Sequence, residues 1–313
     1  MELNIRFLSK TYPEGTKALQ GINLNIGAGV FGLLGPNGAG KSTLMQILAG
    51  LTKADAGNVT FNGIDVLADP AAIKPQLGYL PQDFGLYPHL TAKEFLLHLA
   101  ALHGIKGGNN RRAHVNHLLE LVNLHLYRNT RLKAFSGGMR RRLGLAQALV
   151  SNPSLIIIDE PTAGLDPAER NRLHNLLGEL AQEATIILST HIVDDVRNLC
   201  TEMAIMADGK VLATGAPTEL IDNLVGKVWR VVIEKEQLTD YMMDYRVLSR
   251  NLSGGQIVLH VYSATQPGPR FEPLVPSLED AYFLTLHDRE HHTRPKFVES
   301  VMTSKPYKLA LWN

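Results

Sequence analysis

The pattern of apolar and polar positions changes along the chain and divides it into regions. Apolar and polar residues alternate over residues 3–8 and 19–26, which predicts half-buried strands. From about residue 92 to 150 the apolar residues recur every three or four positions, as in amphipathic helices. Continuous apolar runs at residues 155–158 and 185–189, with a helical pattern between them, predict buried parallel strands. We therefore predict a doubly wound α/β core that carries a helical insert.

A second, smaller region follows a boundary near residues 222–227. Residues 228–235 and 256–262 predict two strands, with a short helical stretch between them, and four prolines over residues 267–276 indicate a linker. Ser277 to Asp280 form a capping box, which predicts a short helix that ends at Leu286. Residues 287–313 show no period, and we expect partial disorder there.

A glycine-rich segment joins the apolar run at residues 30–34 to a helical pattern. Successive backbone N–H groups in such a turn bind anionic oxygens, and the helix N-terminus adds positive charge. A lysine in this position reaches the β- and γ-phosphates of a nucleotide, and a serine hydroxyl binds Mg²⁺. The segment therefore predicts a triphosphate site, formed by Gly35, Pro36, Asn37, Gly38, Ala39, Gly40, Lys41, Ser42 and Thr43.

Two acidic residues follow the buried strand at residues 155–158. The carboxyl ends of strands are where α/β sheets bind their ligands, so Asp159 and Glu160 are candidates for chemistry. Asp159 suits the shell of a Mg²⁺ ion. Glu160 lies one residue further on, and its carboxylate can therefore face another group, such as an attacking water.

Composition narrows the class of protein. The net charge is +1, with 31 basic and 30 acidic side chains, so we expect no nucleic-acid partner. The single cysteine, Cys200, excludes an internal disulfide, and we interpret it as a packing residue. The N-terminus lacks the layout of a signal peptide, and no apolar run approaches the roughly 18–20 residues that span a bilayer. We expect a cytoplasmic protein whose membrane role, if any, depends on a partner.

Several motifs in a fixed order resemble the ATP-binding subunit of ABC (ATP-binding cassette) transporters, over about residues 1–222. The glycine-rich segment matches the Walker A loop, and residues 155–160 match the Walker B strand. The other matching elements are an aromatic at Tyr12, a Q-loop glutamine at Gln82, the signature motif at Ser136, Gly137, Gly138, Met139 and Arg140, the D-loop with Asp166, and a switch histidine at His191.

The resemblance implies roles for these residues. Tyr12 would stack on adenine. The Mg²⁺ ion would be held by Ser42, Gln82 and Asp159. Glu160 would polarise water, and His191 would sense the γ-phosphate. ATP would be sandwiched in a head-to-tail dimer, between one copy's Walker A loop and a second set of residues on the other copy. The residues that contact ATP from the neighbouring copy are Ser136, Gly137, Gly138 and Asp166.

The resemblance also implies a fold and partners. We expect an ABC-type P-loop core at residues 1–222, with an antiparallel β subdomain and a helical subdomain at about 83–150, and a C-terminal α+β extension at 227–313. A second copy or a homologous subunit would complete the dimer. Separate transmembrane permease subunits would hold the protein at the cytoplasmic face of the membrane. The arginine-rich form of the signature motif and the helix that begins at Ser277 favour the drug-export branch of the family.

Two alternatives belong to other classes. One is a soluble ABC ATPase that acts on ribosomes or DNA, although the chain has one phosphate loop and no sustained heptads. The other is a scaffold that does not hydrolyse ATP, against which the presence of Lys41, Glu160 and His191 argues.

Two further stretches need an interpretation. We interpret the run Arg140, Arg141 and Arg142 as a solvated helix face. Residues 252–256 repeat the family's consensus signature letter for letter, but the residues after them alternate like a strand. We predict that this second copy is a hairpin turn.

Overall fold

A computed structural model describes residues 1–162 and 164–293 of the protein. The chain divides into two compact units, and the first comprises Met1–Val225 with Val275–Ala281. The second comprises Gly226–Leu274 and the chain from Tyr282 onward. The functional domain boundaries given above stay predictions.

The first unit alternates strands and helices along most of its length. Its strands are β1 (Leu3–Thr11), β2 (Lys17–Ile26), β3 (Gly29–Leu34), β4 (Ala56–Phe61), β5 (Ile64–Asp65), β6 (Leu77–Leu80), β7 (Leu155–Asp159), β8 (Thr185–Thr190), β9 (Glu202–Ala207) and β10 (Lys210–Gly215). Its helices are α1 (Lys41–Leu48), α2 (Pro70–Ile73), α3 (Ala92–Leu102), α4 (Gly108–Leu121), α5 (Gly137–Ala148), α6 (Pro167–Leu180), α7 (Val193–Leu199) and α8 (Pro217–Asp222).

These strands form two sheets. One has the order β2-β1-β4-β5 and is antiparallel throughout. The other has the order β10-β9-β3-β8-β7-β6, and it is parallel from β9 to β6. The predicted α/β core with an antiparallel β part is therefore confirmed. Parallel strands need crossover connections, which is why helices separate β3, β6, β7 and β8 in the chain.

The apolar core lies between the two sheets and contains helix α1. Alternate residues of the parallel strands point into it, such as Phe31 and Leu33 of β3 and Ile157 of β7. Leu44 and Ile47 of α1 belong to the same buried cluster. Because side chains alternate across a strand, the continuous apolar runs supply both faces of the sheet at once.

The other face of β3 packs against α7. A Cβ atom added to Gly32 would lie 2.8 Å from the Cys200 sulfur and 3.0 Å from a Val196 methyl, so only glycine allows this approach. Cys200 is buried, and burial raises the pKa of its thiol to about 12. The interpretation of Cys200 as a packing residue is confirmed.

The helical insert consists of α3, α4 and α5. A capping box opens α3, because Thr91 Oγ1 accepts a hydrogen bond from Glu94 N at 3.2 Å while the Glu94 carboxylate accepts from Thr91 N at 2.8 Å. Helix α4 begins at Gly108, within the region where the sequence predicts amphipathic helices. No helix in the described part of the chain combines the length and apolarity needed to cross a membrane.

The second unit contains a small antiparallel sheet. Its elements are β11 (Val228–Ile233), α9 (Leu238–Asp244), β12 (Arg246–Ser253), β13 (Gln256–Tyr262) and β14 (Glu272–Pro273), and the strand order is β12-β13-β11-β14. Val231, Leu259 and Phe271 are buried at its centre. The sheet supplies the α+β extension predicted for this region.

The second copy of the signature letters lies in this sheet. Ser253 pairs with Gln256, and the two residues between them, Gly254 and Gly255, have φ angles of 58° and 83°. Positive φ at both central positions is the geometry of a tight two-residue hairpin turn. The prediction of a hairpin is confirmed.

Helix α10 (Leu278–Thr293) follows the proline-rich stretch. The predicted capping box is present, because Ser277 N donates to Asp280 Oδ2 at 2.8 Å and Asp280 N donates to Ser277 Oγ at 3.2 Å. The predicted end at Leu286 is wrong, since the helix continues through the histidine-rich residues to Thr293. The expectation of disorder at residues 294–313 lies outside the described residues.

Candidate functional site

The glycine-rich segment forms a tight loop between β3 and α1. Gly38 and Gly40 have φ angles of 81° and 98°, which other residue types rarely adopt. A Cβ atom added to Gly35 would lie 2.3 Å from the Met206 carbonyl oxygen, and one added to Gly40 would lie 2.4 Å from that of Ala18. The loop is therefore shaped by close backbone contacts that require these glycines.

Lys41 and Tyr12 lie at this loop. Lys41 is buried, and its ammonium group donates hydrogen bonds to Gly35 O at 2.7 Å and Pro36 O at 3.0 Å. The Tyr12 hydroxyl lies 3.4 Å from Thr43 Oγ1, which places the aromatic ring beside the start of α1. Asn37, Gly38 and Ser42 are exposed.

Burial lowers the pKa of Lys41 below its ordinary value, although the charges of Glu160 and Asp159 oppose this shift. The lysine thus shares its surroundings with the two carboxylates that end β7. The two motifs, which are more than a hundred residues apart in sequence, converge on one charged cluster.

The topology of the parallel sheet explains this convergence. β3, β8, β7 and β6 are neighbours in that order, and all four end at the same edge. The loop of Lys41 follows β3, His191 follows β8, Glu160 follows β7 and Gln82 follows β6. Ligands of open α/β sheets bind at this carboxyl edge.

The Glu160 carboxylate is held between two of these loops. Gln82 Nε2 donates a hydrogen bond to Glu160 Oε2 at 3.2 Å, and His191 Nδ1 lies 2.8 Å from Glu160 Oε1. The Glu160 side chain is 13% exposed and that of His191 is 50% exposed. Glu160 also has a φ angle of 50°, which non-glycine residues seldom adopt. Unusual backbone geometry of this kind is often found at functional sites.

Asp159 lies deeper in the structure. It is buried at the end of β7, and its carboxylate accepts a hydrogen bond from the Ser189 hydroxyl on β8. Ser189 also accepts a hydrogen bond at its carbonyl oxygen from Glu160 N, at 3.1 Å. Ser189 therefore fixes both acidic residues, and it was not among the predicted site residues.

The segments predicted to meet a neighbouring copy are helix starts. Ser136 caps α5, since its Oγ accepts a hydrogen bond from Met139 N at 3.2 Å, and Gly137 and Gly138 form the first turn. Asp166 caps α6 by accepting from Glu169 N at 2.8 Å. The cap of α5 leaves the N–H groups of Gly137 and Gly138 without an intrahelical acceptor, whereas α6 begins with Pro167, which has no N–H group.

The interpretation of the arginine run as a solvated face is wrong. Arg141 and Arg142 are partly buried, and Arg142 donates to Asn123 O and to Glu169, both at 3.0 Å. Arg141 donates to four backbone carbonyl groups at the ends of β6 and β7. Consecutive helical residues point about 100° apart, so three in a row do not share one face. This spacing was the signal that could have identified the contacts.

A second buried carboxylate supports the chain beyond Glu160. Asp195 of α7 accepts hydrogen bonds from Thr162 at 2.6 Å, Arg170 at 2.7 Å and His174 at 2.9 Å. Burial alone would raise the pKa of Asp195, but hydrogen bonds from His174, Thr162 and Arg170 together lower it below its ordinary value. One signal in the sequence indicates this cluster, namely an acidic residue on the apolar side of a helix.

Comparisons with known proteins agree with this geometry. The family model described as ABC transporter matches residues 19–163. The "Nod factor export ATP-binding protein I" of Rhizobium etli is 40% identical over 224 residues, which cover 70% of this chain and 69% of that protein. The "Linearmycin resistance ATP-binding protein LnrL" of Bacillus subtilis is 37% identical over 221 residues, which cover 70% of each protein.

A solved structure shows the same fold. It is the dimeric structure of a post-hydrolysis state of the ATP-binding cassette MJ0796 bound to ADP and Pi. The match has a TM-score of 0.64 and 28% identity, and it covers 68% of this chain and 98% of that one.

Proposed function

The chain belongs to the ABC transporter family, as an ATP-binding protein that hydrolyses ATP, and on this basis we propose that it powers export through separate membrane-spanning subunits. The observation that carries the proposal is the Glu160 carboxylate, held by Gln82 and His191 at the sheet edge beside Lys41. Four loops that follow parallel strands lie together there.

We assign nucleotide binding to the loop between β3 and α1. On binding, the Lys41 ammonium group would exchange its two loop carbonyls for the β- and γ-phosphate oxygens. The exposed N–H groups of Asn37 and Gly38, with those of Ala39 and Gly40, would donate to the same phosphates. We assign adenine stacking to the Tyr12 ring, which lies beside Thr43 at the start of α1.

Hydrolysis requires a polarised water and stabilised negative charge. We assign the water to the Glu160 carboxylate and the γ-phosphate to His191, whose half-exposed ring reaches the same carboxylate. Lys41 would neutralise charge that develops on the transferred phosphoryl group.

The donor set near Lys41 fits a Mg²⁺ ion. Ser42, Gln82 and the buried Asp159 offer a hydroxyl, an amide and a carboxylate oxygen, and hard cations prefer oxygen ligands. When bound, the ion supplies positive charge that compensates the phosphate oxygens.

We propose that the site is completed by a second copy or a homologous subunit. Ser136, Gly137, Gly138 and Asp166 lie at helix starts, and the N–H groups of Gly137 and Gly138 with the Ser136 hydroxyl suit the phosphates of a neighbour's ATP. A head-to-tail pair would place two ATP molecules at one interface. The dimer of the structural relative MJ0796 supports this arrangement.

The names of the sequence relatives support export, since one concerns Nod factor export and another linearmycin resistance. We propose that permease subunits dock on the loop after Gln82, where Tyr87 is 67% exposed, and hold the chain at the cytoplasmic face of the membrane. A soluble ATPase acting on ribosomes or DNA is the alternative.

The catalytic assignment is tested with Glu160→Gln, which keeps the shape of the side chain but removes its negative charge. We expect ATP binding to persist and steady-state hydrolysis to fall on the order of 100-fold or more. Glu183→Gln, the same change at an exposed position, is the matched control. Hydrolysis at a near wild-type rate in Glu160→Gln would show that the assignment is wrong.

Export is tested separately by purification from detergent-solubilised membranes. Recovery together with a membrane-spanning subunit supports the proposal. Recovery only as a ribosome-bound species would favour the alternative.

A further inference from the structure

One arginine contacts the backbone on both sides of the candidate site. Arg141 Nη1 donates to Pro81 O at 3.1 Å and to Gln82 O at 2.9 Å. Its Nη2 donates to Asp159 O and to Glu160 O, the latter at 2.5 Å. One guanidinium group thus joins the end of β6 to the end of β7.

These carbonyl groups lie where pairing between the two strands stops. The ladder between β6 and β7 runs from Leu77 and Leu155 to Leu80 and Ile158. Beyond Leu80 and Ile158 the described segments that continue β6 and β7 form no further ladder pair with each other, and Glu160 has a positive φ angle. A carbonyl group left without a partner inside a protein costs free energy, so the arginine satisfies groups that the sheet cannot.

The packing of α5 places the guanidinium group there. Gly144 lies against Leu80 and Phe84, because a Cβ atom added to it would come within 2.7 Å of Leu80 and 2.4 Å of the Phe84 ring. Arg141 itself lines a cavity of about 430 Å³, together with apolar side chains that include Leu145 and Ile158 and with charged ones that include Glu169. The hydrogen bonds of Arg141 therefore add to this apolar packing where α5 meets the strand ends.

We propose that Arg141 is a positioning residue for ATP hydrolysis, an inference that rests on the proposed function. By fixing the carbonyls of Gln82 and Glu160, it holds the two side chains where the amide meets the carboxylate, at 3.2 Å. Arg141 also lies five residues after Ser136, in the helix whose start we assign to the neighbour's ATP. It thereby connects that helix to the carboxylate that orients water.

The test measures kcat and KM for Mg-ATP in the full chain, with equilibrium binding of a fluorescent ATP analogue and thermal unfolding. For Arg141→Gln we expect kcat to fall about 10- to 100-fold, because small displacements of a catalytic group have effects of this size. KM and the Kd of the analogue should stay within about threefold, since Arg141 touches Gln82 and Asp159 only at their backbone carbonyls and touches none of the residues assigned to bind the phosphates.

Arg141→Lys separates positioning from folding. It keeps the positive charge, but one ammonium group cannot reach four carbonyls in a planar arrangement, so kcat should lie between those of the wild type and Arg141→Gln. Arg112→Gln is the matched control, because Arg112 is an exposed arginine on helix α4, away from the assigned site residues. Its kcat should stay within about twofold of wild type.

Several outcomes would overturn the inference. They are an unchanged kcat in Arg141→Gln, a loss of analogue binding as large as the loss of kcat, or a wild-type kcat in Arg141→Lys. Loss of the folded state in both variants would also overturn it, since the side chain would then serve folding alone. A wild-type chain without hydrolysis would instead overturn the proposed function.

Discussion

A serine followed by two glycines occurs twice in this chain, and the two copies have different structures. The first copy, at Ser136, opens a helix, and its glycines form the first helical turn. In the second copy, after Ser253, both glycines have positive φ and turn the chain into a hairpin. The second copy also matches the family's consensus more closely, yet it lies in the small C-terminal sheet.

The residues that follow each copy account for this difference. After Gly138 come methionine, three arginines and leucine, which favour helices. After Gly255 come glutamine and then an alternating run with isoleucine and valine, which favours a strand. The serine and the two glycines of each copy therefore adopt the backbone conformation of the helix or strand that follows them. The comparison can be tested by variants that should affect the two copies unequally.

We expect the largest difference between the two copies in the rate of ATP hydrolysis. A glutamate at Gly138 would place its Cβ within 2.5 Å of the Glu169 carboxylate and add negative charge where we assign a phosphate. We expect Gly138→Glu to reduce hydrolysis on the order of 100-fold or more, as happens when donors to a developing charge are lost. Gly254→Glu should change the hydrolysis rate by less than about twofold. Equal losses in both variants would contradict the distinction between the copies.

A smaller effect tests the helix that follows the first copy. Gly144→Val should lower the free energy of unfolding by about 1–3 kcal/mol, because the new side chain collides with Leu80 and Phe84. Gly178→Ala is the contrasting helical substitution, since its Cβ would meet no atom within 4 Å. It should raise the free energy by roughly 0.5–1 kcal/mol. Denaturant unfolding measures both, and a neutral Gly144→Val would rule out the tight packing.

The smallest expected effect concerns the two serines. Ser136 Oγ accepts a hydrogen bond from Met139 N, so Ser136→Ala should cost about 1 kcal/mol of stability through loss of the cap. Ser253 is exposed in the hairpin, and Ser253→Ala should stay within about 0.5 kcal/mol of wild type. The same unfolding experiment compares them. A larger loss at Ser253 would reverse the prediction.

The features that the sequence predicted well are local ones. The loop before Lys41, the strand before Asp159 and the hairpin at Gly254 each depend on residues that are close in the chain. The meeting of Gln82, Glu160 and His191 followed from topology, because parallel neighbours end at one edge. The resemblance to a family identified which motifs follow the strands and in what order they occur. The periodicity of apolar residues alone does not identify them.

The features that the sequence did not predict depend on distant contacts. The helical spacing of the three arginines indicated that they do not share one face, but the partners of Arg141 are carbonyl groups, which any residue carries and which the sequence therefore cannot identify. The strands Glu202–Ala207 and Arg246–Ser253 were not predicted, since their partners in the sheet decide them more than their own residues do. Helix α10 passes Leu286 because its polar histidines and acids still form a helix once the capping box has started it.

The buried thiol described above has a practical consequence for following this protein in solution. Reactive thiols are thiolates, and a pKa of about 12 leaves the Cys200 sulfur protonated at neutral pH. Since the sequence contains one cysteine, a cysteine introduced on the surface would be labelled selectively without removing the native one. Labelling of Cys200 itself would report the separation of α7 from β3, so the wild-type chain carries a built-in probe of local unfolding.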